Sequence, residues 1–401
     1  MGSLRSALRR RILRLAIALL AVPAAGAGAA PQVSALDAAV HDMCRRDVAL
    51  LGEADHGDGA TVAFKVALVR ALVTRCHFGA VFFEANHYEF IDFARRLREG
   101  RPAGPERIAA AVGGMWNHDA EFAPLPPFLF AEARAGRLTL AGIDDQVGSA
   151  GTLYEPDELP DELASFLPPD RREACAAALR RRTHYDYGPG HAYDEAARAQ
   201  LLACLTEAER AIPASRGLAP DRRAEVLEMT ASFIRDLRRE PSATPDYIVG
   251  RDHSMFLNFQ WLARRLPPHH RRIIVWAANS HIAKDATASG DYAAGANFGA
   301  LIHRAYGDRA FALGITAAGG AHYWSRNERS RPLADAAPDS IEARALAGTA
   351  AESVYLDRAR LAAFGAAPAS AFQHRPHAMS WDRAFDGLIV LRAEQPPHRT
   401  D

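Results

Sequence analysis

Residues 50–57 read LLGEADHG, where an apolar run from Val48 to Leu51 stops in a glycine-flanked Glu-x-x-His. A short apolar run before a turn predicts a buried strand that ends at the carboxyl edge of a sheet, where open α/β folds bind ligands. The flanking glycines permit backbone angles or close approaches that a side chain would forbid. The stretch therefore predicts a site in which Glu53 and His56 are presented on a sharp turn.

Two further apolar runs end in polar residues of the same kind. Residues 81–87 read VFFEANH, and residues 273–281 read IIVWAANSH. The carboxyl ends of parallel strands meet at one edge of a sheet. We therefore expect Glu84 with His87, and His281, to converge on the first stretch.

Helical segments between these runs predict the fold class. Residues 59–76 carry apolar side chains at helical spacing, and residues 78–84 read as the next strand. This β-α-β pattern predicts an α/β fold, with a mainly parallel sheet flanked by helices. Residues 150–245 show helical segments and no strand pattern, so we predict a helical insertion over the carboxyl edge of the sheet. Residues 100–127, rich in glycine and proline, are predicted to be a loop that faces the substrate.

The first 30 residues predict a signal peptide. Five arginines precede a short apolar stretch at residues 15–22, and small residues follow at 24–30. This order is typical of a cleaved leader rather than a membrane anchor. We expect a mature α/β domain at residues 31–401 that is periplasmic or secreted, with no stable membrane anchor after cleavage. Residues 9–13, RRRIL, also fit a twin-arginine signal, so both export routes remain open.

Charge and cysteine content restrict the partners and the redox state. Without the leader, about 43 basic residues face 48 acidic ones, a net charge of about −5 that argues against a nucleic-acid partner. Four cysteines in an exported chain, none in a Cys-x-x-Cys spacing, can form disulfides or stay as buried thiols. Cys175 and Cys204 lie equally far from the turn of a predicted helical hairpin, which favours a disulfide between them.

Five motifs together resemble the erythromycin esterase family. They are GEADHG (52–57), FFEA (82–85), GIDDQ (142–146), RDHSMFLNFQWL (251–262) and VWAANSHIA (275–283). Their order and spacing match the family over roughly residues 40–395. The resemblance implies an esterase-like fold and the hydrolysis of a small-molecule ester or lactone, as in macrolide resistance.

We predict a catalytic group of five residues, His56, Glu53, Glu84, His281 and Arg251. His56 would deprotonate a water molecule, because the pKa of a histidine lies near neutrality. Glu53 or Glu84 would orient His56, while Arg251 and His281 would stabilise the oxyanion. A Gly-x-Ser-x-Gly motif is absent, which favours direct attack by water over an acyl-enzyme.

Four other residues are predicted to contact the substrate. Trp116 lies in the loop that is rich in glycine and proline, and Asp144 follows a predicted strand. Met255 lies one helical turn after the arginine of the catalytic group, and Asn279 follows the strand that precedes His281.

Two alternatives keep the catalytic residues and change the class of protein. Glu53, His56, Glu84 and His281 have the side chains to hold a divalent metal that activates water. A metal- or haem-binding protein without catalysis is the third possibility. The Glu-x-x-His lies on a predicted turn, whereas the histidine ligands of zinc proteases lie on a helix. We therefore favour a hydrolase without a cofactor.

Overall fold

The computed structural model describes residues 34–148, 152–188, 192–239, 245–323 and 330–400. The predicted signal peptide lies outside these ranges. Among the described residues, no helix combines the length and the apolar character that crossing a membrane requires.

Seven strands form a central sheet, and two pairs of strands lie outside it. The strands are β1 (Val48–Leu51), β2 (Ala80–Asn86), β3 (Thr139–Asp144), β4 (Ile273–Trp276), β5 (Ala310–Ala317), β6 (Ala321–His322), β7 (Arg331–Pro332), β8 (Ser353–Asp357), β9 (Ala366–Phe372), β10 (Arg375–Ser380) and β11 (Gly387–Leu391). The sheet order is β3-β2-β4-β1-β5-β11-β8, with β9-β10 and β6-β7 as separate pairs. Neighbours in the central sheet are parallel except β8, which is antiparallel to β11. The predicted mainly parallel α/β sheet is confirmed.

Helices connect the strands. They are α1 (Ala35–Met43), α2 (Gly59–Cys76), α3 (His87–Arg98), α4 (Pro105–Val112), α5 (Leu125–Arg134), α6 (Tyr154–Asp157), α7 (Leu159–Ala164), α8 (Pro169–Thr183), α9 (Glu195–Ala211), α10 (Pro220–Arg238), α11 (Pro245–Arg265), α12 (Asn279–Ile282), α13 (Phe298–Tyr306), α14 (Ile341–Leu346) and α15 (Arg358–Ala363). Residues 100–127 are more ordered than predicted, because α4 and the start of α5 lie within them. Pro105, Pro126 and Pro127 stand in the first turn of these helices, where the missing N–H costs no hydrogen bond.

The strands are continuously apolar because both faces of the sheet are covered. Leu51, Phe83 and Trp276 point into the core beneath α1, α2, α4 and α5, while Leu50 and Phe82 point into the core beneath α11 and α13. Successive residues of a strand point to opposite faces, so each face takes every second side chain. Polar side chains occur at the ends of the strands instead.

Helices α6 to α10 build a third hydrophobic core of their own. Leu163, Leu205 and Phe233 belong to it, and Tyr88 of α3 packs against them. The guanidinium of Arg239 binds both carboxylate oxygens of Asp145, at 2.8 and 2.7 Å. This bidentate pair attaches the helices beside the carboxyl end of β3.

Two disulfides cross-link the described residues. Cys175 pairs with Cys204 across α8 and α9, with Cα atoms 5.9 Å apart, which confirms the pairing predicted for the hairpin. Cys44 pairs with Cys76 between the ends of α1 and α2. Both pairs tie neighbouring helices together.

Peptide mapping without reduction should recover the 44–76 and 175–204 cross-links. The double variant Cys175→Ala/Cys204→Ala should lose about 3–4 kcal/mol of unfolding free energy, because the opened loop regains chain entropy in the unfolded state. Denaturant unfolding measures this loss. An unchanged unfolding midpoint, or a cross-link between the two pairs, would contradict the assignment.

Candidate active site

The turn after β1 is held by close approaches at its two glycines. A Cβ on Gly52 would collide with the side chain of Asn279, and one on Gly57 would collide with the backbone of Tyr323. The N–H of Asn279 also donates to the carbonyl of Glu53 at 2.7 Å. Glycine at both positions lets the turn lie directly against the end of β4 and the strand β6.

Glu53 holds His56 on one side and a buried lysine on the other. Its Oε1 lies 2.7 Å from Nδ1 of His56, and its Oε2 accepts a hydrogen bond of 2.8 Å from Nζ of Lys65. The Glu53 and Lys65 side chains are fully buried, whereas the His56 side chain is 32% exposed. The imidazole is therefore both anchored and accessible.

Burial lowers the pKa of His56, but the hydrogen bond to Glu53 and the charge of Glu84 outweigh it and raise this pKa above the usual value. The ring nitrogen Nε2 lies 4.0 Å from Oε1 of Glu84, outside hydrogen-bonding distance. The indole of Trp116 contacts the His56 ring edge-on, with centroids 5.5 Å apart. His56 thus faces a second carboxylate across a gap, with an aromatic wall beside it.

Glu84 is held by three donors. Oε1 lies 2.8 Å from Nη2 of Arg251 and 3.2 Å from Nε2 of His281, and Oε2 accepts from the N–H of Ala278 at 2.8 Å. Arg251 also binds Asp144 through Nη2 at 2.6 Å and Nε at 3.2 Å. The ends of β2, β3 and β4 are joined by this network.

His281 lies between two carboxylates, which favour its protonated form. Its Nδ1 lies 2.6 Å from Oδ1 of Asp252, opposite the contact between Nε2 and Glu84. Burial lowers the pKa of His281, but the two carboxylates outweigh burial and raise this pKa to about 10. Nη1 of Arg251 lies 3.0 Å from Nε2 of His281. Both nitrogens carry a proton when His281 is protonated, and the shared Glu84 carboxylate offsets their repulsion. An imidazolium held in this way is suited to electrostatic stabilisation rather than to accepting a proton.

Three residues of the motifs have side chains that are engaged elsewhere than in this cluster. Met255 is fully buried in the core beneath α11 and α13. The amide of Asn279 is engaged with backbone atoms of Ile315 and Ala371, at 2.7 to 3.2 Å. Nδ1 of His87 lies 2.9 Å from the carbonyl oxygen of Gly142, in a fully buried position. The structure therefore does not present Met255, Asn279 or His87 at the surface of the cluster.

Sequence reasoning missed Lys65, Tyr292 and the role of Asp252. Lys65 and Lys284 are the two lysines of the chain, and Lys65 lies on the apolar face of α2. A lysine among valines and leucines is the signal that could have indicated a buried partner. The hydroxyl of Tyr292 lies 3.1 Å from Nδ1 of His281, but the loop that carries it gives no pattern.

The carboxylates of this cluster already have cationic partners. Lys65 neutralises Glu53, while Arg251 and His281 share Glu84. A divalent ion bound among these side chains would face three like charges at short range. The geometry does not favour Glu53, His56, Glu84 and His281 as a ligand set.

A mainly parallel α/β sheet carries a hydrogen-bonded Glu-His pair at its carboxyl edge, an arrangement that is suited to proton transfer. The erythromycin esterase family model matches residues 73–393, so the chain belongs to this family, a family of esterases. The Glu53–His56 turn precedes the matched range. No curated relative matches the chain significantly in sequence.

Three solved structures share the fold. A Bacillus cereus protein is 16% identical with a TM-score of 0.71, and the match covers 92% of this chain and 95% of that one. A succinoglycan biosynthesis protein is 14% identical with a TM-score of 0.68, covering 90% and 92%. A mutant of the erythromycin esterase EreC in its open conformation is 17% identical with a TM-score of 0.65, covering 91% and 94%. At these identities the similarity shows the fold alone.

Replacement of Lys65 should destabilise the protein strongly. Lys65→Met leaves the buried Glu53 without a cation, which should cost about 3–5 kcal/mol of unfolding free energy. Adding Glu53→Gln should restore part of that loss, because no charge then remains unpaired. Lys284→Met is the matched control, since Lys284 pairs with the partly exposed Asp386. A larger loss for Lys284→Met than for Lys65→Met would contradict this account.

The imidazolium of His281 should be visible in the nitrogen chemical shifts of ¹⁵N-histidine-labelled protein. At pH 7.5 His281 should be protonated, whereas His303, whose pKa burial lowers to about 4, should be neutral in the same spectrum. Asp252→Asn should lower the pKa of His281. Because the folded pKa lies above the unfolded value of about 6.5, the stabilisation from His281 is fully present below that pH and is lost as the pH rises through about 10. A neutral His281 ring at pH 7.5 would contradict the assignment.

Proposed function

We propose that the protein is an exported hydrolase that cleaves a small-molecule ester or lactone with a water molecule activated by His56. The observation that carries the proposal is the hydrogen bond of 2.7 Å between Glu53 and a partly exposed His56 at the carboxyl edge of the sheet. Membership of the erythromycin esterase family supports the reaction class. The excess of acidic residues outside the predicted leader supports a partner other than nucleic acid.

The hydrogen bond to Glu53 occupies Nδ1 of His56, which leaves Nε2 to accept a proton. As the water oxygen attacks the carbonyl carbon, Nε2 takes one water proton, and the carbonyl π electrons move to the oxygen. Glu53 stabilises the resulting imidazolium. Collapse of the tetrahedral intermediate breaks the bond to the alkoxide, which receives the proton from Nε2. Acid-base assistance of this kind typically contributes about 10²–10⁴ in rate.

We assign the stabilisation of the oxyanion to the positive charges of Arg251 and His281. His281 is buried, and only 14% of the Arg251 side chain is exposed. Carboxylates hold both side chains, so they are oriented before the substrate binds. Preorganised charge of this kind needs little rearrangement during the reaction. Glu84 holds the two cations beside each other, facing His56.

Asp144 remains a proposed substrate-side residue, whereas Trp116 is fully buried, as Met255 is, and acts on the His56 ring instead. Trp116 is buried against Phe122 and Trp276, and its edge contact positions the His56 ring. A macrolide lactone is one candidate substrate, since EreC, which shares this fold, is an erythromycin esterase. A panel of macrolides and simple esters tests the substrate class.

His56→Ala should lower kcat/KM for an accepted ester or lactone by about 10²–10⁴, because the general base is lost. Glu53→Gln should lower it in the same direction. His184→Ala is the matched control, since His184 is also a partly exposed histidine beside a carboxylate, 3.1 Å from Asp157. The proposal fails if His56→Ala keeps the wild-type rate. Wild-type protein that cleaves nothing in the panel would favour a binding protein without catalysis.

A further inference from the structure

A second polar cluster is built on the same turn, from side chains that the proposed hydrolysis does not use. It consists of Asp58, His322 and His374, and one ligand-type atom from each lies within 4.8 Å of the others. These residues come from the start of α2, from β6 and from the turn between β9 and β10. We call them the Asp58 cluster.

Backbone contacts bring the two histidines to Asp58. The N–H of Tyr323 donates to the carbonyl of Gly57 at 3.1 Å, and a side chain at Gly57 would prevent this approach. The N–H of Gln373 donates to the carbonyl of Ala54, also at 3.1 Å. Both strand segments are therefore attached to the turn that carries His56.

The hairpin turn has an unusual conformation for its residues. Gln373 and His374 have φ angles of 52° and 54°, the left-handed region that two-residue hairpins normally fill with Asn-Gly. Two such residues without glycine cost free energy. The turn projects His374 towards Asp58, where Nε2 lies 2.8 Å from Oδ1.

The Asp58 cluster is shielded from solvent. The side chains of Asp58, His322 and His374 are 0%, 12% and 6% exposed. Among the described residues, the ion-pair partners of Asp55 and Asp58 are histidines. This differs from Glu53 and Glu84, whose partners include a lysine and an arginine.

We propose that the Asp58 cluster binds a divalent transition metal of the zinc class. Two imidazole nitrogens and one carboxylate are ligands that zinc accepts, whereas calcium and magnesium require oxygen. Tetrahedral zinc places its donor atoms about 3.4 Å apart. The observed separations from Asp58 Oδ1, 2.8 Å to His374 Nε2 and 4.0 Å to His322 Nδ1, bracket this value.

Asp55 adds a further negative charge to the cluster. Its Oδ2 lies 3.9 Å from Nδ1 of His322. A bound cation would neutralise the negative charges of Asp55 and Asp58, which lie beside His56 in the same turn. The metal would thereby fasten the turn to β6 and to the hairpin of β9 and β10.

Binding is tested on the full mature chain after treatment with a chelator and exchange into metal-free buffer. Zn²⁺ is titrated in competition with a chromophoric chelator, and Co²⁺ is titrated to record its visible absorption. We expect one Zn²⁺ per chain, a Co²⁺ spectrum of a low-coordinate site, and a higher melting temperature with Zn²⁺. His322→Ala and His374→Ala should each weaken Zn²⁺ binding by on the order of 100-fold or more.

The control is His377→Ala, since His377 lies on β10 of the same hairpin and outside the cluster. It should keep the wild-type affinity for Zn²⁺, and so should His56→Ala. Loss of the metal in His56→Ala, with retention in His374→Ala, would move the site to the Glu53 side and overturn the proposal. Wild-type protein without stoichiometric binding at micromolar Zn²⁺ would overturn it as well. These readouts do not depend on any substrate, so they are independent of the proposed hydrolysis.

Discussion

The buried ion pair between Lys65 and Glu53 is the interaction on which the site depends. A carboxylate with no exposed surface would be strongly destabilised without a cation, and Lys65 supplies one at 2.8 Å while contacting the ring of Trp276 from 4.2 Å. Glu53 is then able to hold Nδ1 of His56 with its other oxygen. A pair that spans the turn from β1 to α2 thus fixes both the local fold and the orientation of the histidine.

Strands β1, β2 and β4 could be predicted because each is a continuous run of apolar residues, but the order of the strands in the sheet could not. Strand β4 pairs with both β1 and β2, although α2 and β2 follow β1 directly in the chain. Such pairing is set by packing across the whole domain and not by local sequence. The hairpin of β9 and β10 was missed for a local reason, because its turn uses Gln373 and His374 where glycine is the usual signal.

The positions of Glu53, Glu84 and His281 could be predicted from the ends of the apolar runs, because parallel strands bring their carboxyl ends to one edge of the sheet. The direction in which each side chain points could not be predicted in this way. Met255 lies one helical turn from Arg251, yet it packs into the core while Arg251 reaches Glu84. Spacing places two residues on one helix face, but the depth to which each is buried depends on neighbours that only the fold brings together.

The two clusters on the turn differ in the kind of cation that faces their carboxylates. Lys65 and Arg251 pair with Glu53 and Glu84, so these carboxylates are less available to a metal ion and that side is suited to moving protons. Asp58 faces histidines, whose neutral rings are metal ligands rather than counterions. One short turn therefore carries Glu53 and His56, which are suited to proton transfer, next to Asp58, the proposed metal ligand. Glu53 and Glu84 each have a lysine or an arginine as a partner, whereas the ion-pair partners of Asp58 among the described residues are histidines, which are themselves metal ligands.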